Sequence, residues 1–194
     1  MVVDKSKGKK LVYVSEDIIN GITEISKKKG TSVTKYIEDM LKQAIRVDGL
    51  NFSTEEMGNI LEVIQVQRVL GGTFMPLDVL NYVSDQCFEK ARDEIRLKWF
   101  ESGKIYGKYL KERFSSPLKT FQVLLKVMRW DLDEVEISQN TNNIKIRCVS
   151  SSLNYEGTDL LAKFIDGATN GMGYGAEKID CMKGMIIMEL KALS

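Results

Sequence analysis

The 194-residue chain is 43% hydrophobic and 28% charged, with mean hydropathy −0.18, the balance of one or two soluble domains with a proper core. It contains no histidine, which excludes Ser-His and Cys-His nucleophiles, histidine-ligated zinc and an axial-histidine haem. Carboxylate or lysine catalysis remains open, yet the composition favours a protein that is not an enzyme and holds no metal or cofactor. Cys87, Cys148 and Cys181 form no CxxC pair and no regular framework, so reduced thiols are expected. The opening MVVDKSKGKK is charged and no apolar run follows it, unlike a signal peptide. Apolar patches such as VLL and GMIIM fall far short of the ~20 residues of a membrane span. A cytoplasmic protein without a membrane partner is the expectation.

The net charge of +1 is unevenly divided. Residues 1–46 hold ten Lys/Arg against six Asp/Glu, a balance of +4, while the other 148 residues hold 18 against 21, a balance of −3. A basic quarter of this kind is either a solvated lysine-rich surface or the footprint of a nucleic-acid partner.

Within that quarter, Lys9 to Val14 gathers β-formers and predicts a short strand. Ser15 is a good helix N-cap, with Glu16 and Asp17 in the first turn. Ile18, Ile22 and Ile25 form one helical face, Lys27 to Lys29 end it, and Gly30 supplies a left-handed cap. Thr31 or Ser32 caps a second amphipathic helix with Val33, Ile37, Met40, Leu41, Ala44 and Ile45 on its apolar side. The strand is too short to pair within its own segment, and a segment of this size rarely builds a core alone.

This strand, helix, GTSV turn and helix over about residues 8–46 resembles the ribbon-helix-helix family of DNA-binding proteins. The resemblance implies a homodimer whose strands pair into an intermolecular β-ribbon that enters the major groove of double-stranded DNA. It places Val12 and Val14 in the core and points Lys9, Leu11 and Tyr13 towards the bases. The family usually carries polar or basic side chains there. Leu11 can offer only apolar contact and Tyr13 one hydroxyl; alternatively, the two cover a partner surface. The resemblance also implies a phosphate clamp at the amides around Thr31 and Ser32. Lys5, Lys7 and Lys10 form a basic arm adding salt-dependent affinity.

Asp48 to Phe52 breaks the second helix, and Ser53 caps a third with Glu55 and Glu56 in its first turn. Gly71-Gly72-Thr73 ends it, and Pro76 opens a further helix whose stripe runs through Leu77, Leu80, Cys87, Ala91 and Ile95. These helices either pack across a dimer and connect two domains or belong to the second domain's core. From Trp99 glycines become frequent, and Gly103 and Gly107 stand one helical turn apart, allowing close backbone approach. Pro117 opens an apolar helix to Met128. Glu134–Ser138 and Ile144–Cys148 alternate about an Asn140–Asn143 turn, Thr158–Ala168 is an amphipathic helix, and Ala176–Cys181 with Met185–Leu190 makes a second hairpin. Gly171 to Gly175 is similar in spacing to a phosphate-binding loop, but it follows a helix and reads as a turn.

The expected fold is α+β: a ribbon-helix-helix domain over 1–48, a helical connector over 49–98, and over 99–194 an antiparallel sheet with helices on one side. This last part resembles the 4-vinyl reductase domain family through Gly103 and Gly107, Cys148 ending a strand, Phe164-Ile-Asp-Gly167 and Cys181-Met-Lys-Gly184. The resemblance implies binding of a small, often apolar molecule, and some archaeal regulators of the family join such a domain to a DNA-binding one. Cys148, Phe164 and Cys181 are its candidate ligand-binding residues. Family members often carry a further cysteine after the final turn, where this chain reads Met185 to Met188. Cys148 and Cys181 are either neighbouring, oxidisable thiols on adjacent strands or buried strand-end residues. The expected protein is a dimeric transcription regulator with a ligand- or partner-sensing C-terminal domain. The alternatives are an interaction protein that only dimerises, or a lipid or tetrapyrrole carrier.

Overall fold

The computed structural model describes residues 11–73, 75–139 and 143–193. It is α+β, and the chain divides into two compact units, Met1–Met57 and Gly58–Ser194.

The first unit holds helices α1 (Glu16–Lys28) and α2 (Val33–Asp48). Ser15 stands at the N-cap of α1 in extended conformation, with Glu16 and Asp17 in the first turn and Lys27 and Lys28 in the last, the order the helix dipole favours. The α1 helix ends in a Schellman motif. Gly30 adopts φ 64°, its N–H donates to the Lys27 carbonyl, and the Thr31 N–H donates to the Ser26 carbonyl at 3.0 Å. Ser32 then caps α2, its hydroxyl accepting from the Lys35 N–H at 3.2 Å. The expected strand over 9–14 is not evident. Residues 11–15 form no regular structure in the single chain, and Lys9 and Lys10 lie outside the described residues.

Helix α3 (Thr54–Leu70) begins in the first unit and continues into the second. A capping box starts it: the Ser53 N–H donates to Glu56 Oε2 at 2.7 Å, and the Glu56 N–H donates to Ser53 Oγ at 3.1 Å. Gly71, at φ 73°, ends it.

The second unit continues with α4 (Leu77–Arg113), α5 (Pro117–Met128), strands β1 (Glu134–Gln139) and β2 (Ile144–Val149), α6 (Tyr155–Met172), β3 (Tyr174–Met182) and β4 (Met185–Ala192). The helix from Pro76 and the helix carrying Gly103 follow one another without a loop in one long element, kinked at Ala91. No Gly or Pro stands between Leu77 and Gly103 to stop it. Backbone angles leave the helical range only at Ala91 (φ −147°, ψ 44°), a break that the local sequence does not explain. The α6 helix is longer than its apolar pattern suggested, since Asn154 caps it from before Tyr155 and Gly173, at φ 99°, closes it.

The sheet is antiparallel in the order β1-β2-β4-β3. Ile144, Ile146, Ile186, Met188 and Leu190 face inward against α5 and α6 and are buried. The opposite face carries charge, with Arg147 paired to Glu134, Lys178 to Asp180 and Lys191 to Glu177. This alternation is what a sheet covered on one side requires. The turn expected over Asn140–Asn143 lies largely outside the described residues.

Candidate functional site

Helices α4 and α6 cross with almost no side chains between them. A Cβ on Gly103 would meet the Phe164 carbonyl, one on Gly107 the Ala168 carbonyl, and one on Gly167 the Phe100 carbonyl. Four glycines, two on each helix with Gly171, thus let the backbones touch. This crossing fixes Phe164 of α6 against α4, where Trp99 and Tyr106 meet it edge-on with ring centroids 6.3 and 5.3 Å away. Phe121 of α5 lies on the other side at 6.3 Å.

Beside this aromatic cluster lies a cavity of about 650 Å³, within the range of small-molecule sites. Trp99, Tyr106 and Phe164 form its aromatic wall, with Leu124 and Met128 from α5. Gly72, Thr73, Met75, Pro76 and Leu77, with Gln67 in the last turn of α3, close another side. Ser102, Ser152 and the run Arg129-Trp130-Asp131 complete it. Both tryptophans of the chain, Trp99 and Trp130, line this one space.

Two polar pairs occupy its rim. Arg129 grips Asp131 bidentately, Nε to Oδ1 at 2.8 Å and Nη2 to Oδ2 at 2.6 Å. Burial alone would raise the Asp131 carboxyl, but the Arg129 hydrogen bonds and charge outweigh it and hold the pKa below the ordinary value. The Tyr106 hydroxyl donates to Gln67 Oε1 at 2.8 Å. Burial raises the Tyr106 pKa against the opposing pull of Gln67, so the phenol is a neutral donor at physiological pH. The charges of Arg129 and Asp131 cancel, and no other charged side chain stands among the described lining residues.

A smaller, more open groove of about 320 Å³ lies between Asp93, Arg96, Leu97 and Phe100 of α4 and Lys163 and Asp166 of α6. Its two cations and two anions balance. Nearby, Arg96 Nε stands 3.0 Å from Asp159 Oδ2 without hydrogen-bond alignment.

Of the candidate ligand residues, Phe164 lines the cavity. Cys148 is buried on the inner face of the sheet, and Cys181 is half-buried on β3. The two cysteines do not sit on adjacent strands. Both pair with Ile186 of β4, which runs between them, so they stand two strand spacings apart, roughly 10 Å. That is beyond disulfide reach. Burial pushes the Cys148 thiol up to about 12, and burial together with the Asp159 charge raises Cys181. Iodoacetamide at pH 8 is therefore expected to leave Cys148 unlabelled in the folded protein and to label it at full rate in denaturant. Mass mapping of the peptides checks this, and labelling of native Cys148 at the rate of Cys87 would contradict the buried placement.

Among the DNA-contact candidates, Leu11 and Tyr13 are 81% and 91% exposed, and Val12 and Val14 are exposed as well. Ser32 caps α2 and Thr31 occupies the turn before it. Lys5, Lys7, Lys9 and Lys10 lie outside the described residues. The sequence pattern passed over Trp99, Tyr106, Gln67, Arg129 and Asp131, because aromatic residues at helical spacing are indistinguishable from core. The available signal was that Trp99 and Trp130 fall on either side of Gly103, Gly107 and helix α5.

No group of three or more His, Cys, Asp or Glu able to hold a metal occurs among the described residues. Nor is any described helix long and apolar enough to cross a membrane. No family model and no curated protein matches the chain. Among solved structures the chain is similar to one described as "Probing the function of heme distortion in the H-NOX family", at 13% identity over 68% of this chain and 85% of that one, with a TM-score of 0.38. A likeness at that level assigns neither ligand nor mechanism.

Proposed function

We propose that the protein is a dimeric DNA-binding regulator whose second unit senses a small, largely apolar molecule. The observation that carries the dimer is that the first unit has amphipathic helices but no buried hydrophobic residue among its described residues. Ile18, Ile25, Met40, Leu41 and Ile45 are all exposed in the single chain. A helix pair held by one Schellman turn, with its apolar face open, needs a partner to be stable. A second copy satisfies it and gives residues 11–14 a strand to pair with. The balance of +4 over residues 1–46 then sits on both halves of the dimer, as a duplex requires. The sensing half is supported by the aromatic cavity and its few convergent polar groups.

A mobility shift on fragments of the source genome tests this. The full chain is expected to retard specific fragments, and the chain lacking residues 1–46 none. Lys9→Ala is expected to weaken binding severalfold and to relax the sequence preference at the base it faces. Undiminished binding by the truncated chain would overturn the proposal.

A second reading has support from Leu11 and Tyr13, whose apolar exposure suits a protein partner better than base edges. In that case the first unit only dimerises, and the full chain retards no fragment while remaining a dimer.

A further inference from the structure

Helix α3 presents Val63, Val66 and Leu70 to the core of the second unit, the first two only 1% and 2% exposed. Gln67 falls on the same helical face, four residues after Val63 and three before Leu70. It is the polar member of an otherwise apolar stripe. Its side-chain oxygen accepts from Tyr106, and both residues line the cavity. A polar side chain in such a position is held by its hydrogen bond, and anything that competes for the bond changes how the helix is seated. The first turn of α3, Thr54–Met57, belongs to the first unit, so α3 is the covalent route from the cavity to the proposed DNA-binding helices.

The cavity's charge also restricts its occupant. Arg129 is neutralised by Asp131 through two short hydrogen bonds. A ligand with a carboxylate or phosphate would enter among aromatic rings with no free cation in the described lining, and burying an uncompensated charge is costly.

We infer that the cavity takes an uncharged, mostly apolar molecule with a hydrogen-bonding group, and that occupancy passes to α3 through the Tyr106–Gln67 hydrogen bond. This rests on the ligand-sensing reading above and adds the ligand's charge class and the residues that report it. The ligand's polar group engages Tyr106 or Gln67, and the seat of α3 shifts with it. Tyr106 and Gln67 are positioning residues that relay occupancy.

Two dyes with one skeleton test the inference in the full-length protein. N-phenyl-1-naphthylamine is uncharged, and 8-anilinonaphthalene-1-sulfonate adds a sulfonate. Both tryptophans line the cavity, and Trp130 is 77% exposed, so quenching of intrinsic fluorescence is read in the full chain and in Leu124→Trp, which fills the cavity and should abolish the part due to this site. The uncharged dye is expected to quench with a Kd at least about tenfold lower than that of the sulfonate, since the charge finds no partner. Saturation with the uncharged dye is expected to change hydrogen exchange of the α3 amides around Gln67 about fivefold, the worth of one hydrogen bond. At saturating dye, Tyr106→Phe and, independently, Gln67→Leu should each abolish the α3 response, and each raises the dye's Kd by up to about tenfold, the worth of the hydrogen bond lost. Equal or tighter binding of the sulfonate overturns the charge class. Quenching with unchanged α3 exchange, or a variant that responds like the wild type, overturns the relay and leaves ligand sensing standing. Absence of quenching by either dye overturns the cavity as a ligand site and the relay with it.

Discussion

Gly107→Ala is expected to destabilise the second unit by about 2–3 kcal/mol, although it adds a single methyl group to a helix. The same substitution in an open helix position stabilises by about 0.5–1 kcal/mol, through the lower conformational entropy of the unfolded chain. Gly58 of α3 is such a position, with nothing within 4 Å of where its Cβ would stand. At Gly107 the methyl would meet the Ala168 backbone, which cannot rotate away as a side chain would. The two helices must separate, and Phe164, held between Trp99, Tyr106 and Phe121, loses its packing. Against a total stability of about 5–15 kcal/mol this is a large fraction, and a bulkier Gly107→Leu should abolish folding of the unit. Thermal melts of Gly107→Ala and Gly58→Ala should move in opposite directions. If both rise, the helix crossing is looser than described.

The double substitution Leu41→Asp with Ile45→Asp is expected to convert a dimer into monomers and to abolish DNA binding. In the single chain these side chains are 58% and 74% exposed, so their replacement should cost little, as exposed substitutions do. In a dimer each would be buried, and burial of a Leu or Ile is worth about 1.5–3 kcal/mol. The loss on both chains, together with the buried charge, raises the dimer dissociation constant by more than about 100-fold. Sedimentation velocity at micromolar concentration separates the two cases: an unchanged dimer after substitution would place the interface elsewhere, for instance on the exposed Val79, Tyr82 and Val83 of α4.

Local signals in the sequence were readable where one residue type answers one backbone demand. Gly30 at positive φ, Ser53 with Glu56, Pro117 at the start of α5 and the Lys183-Gly184 turn all stand where their chemistry placed them. The spacing of Gly103 and Gly107 also announced a close helix contact, though not that Gly167 and Gly171 answer it from α6. Long-range pairing was hidden. The two hairpins were legible, but not that β4 joins β2 and thereby separates Cys148 from Cys181, because alternation fixes faces and not neighbours. The kink at Ala91, where one helical segment of α4 passes into the next, carries no Gly or Pro to announce it. The cavity was least visible, since Gln67, Tyr106, Arg129 and Phe164 come from four separate segments and each looks locally like ordinary packing.

Selection of bound duplexes from a random-sequence pool bears most directly on the function proposed. The full-length protein should recover duplexes whose two halves are related by two-fold symmetry, with two chains bound per duplex, and the chain lacking residues 1–46 should recover none. Recovery of no preferred sequence by the full chain, or the same enrichment by the truncated chain, would contradict DNA recognition by the first unit.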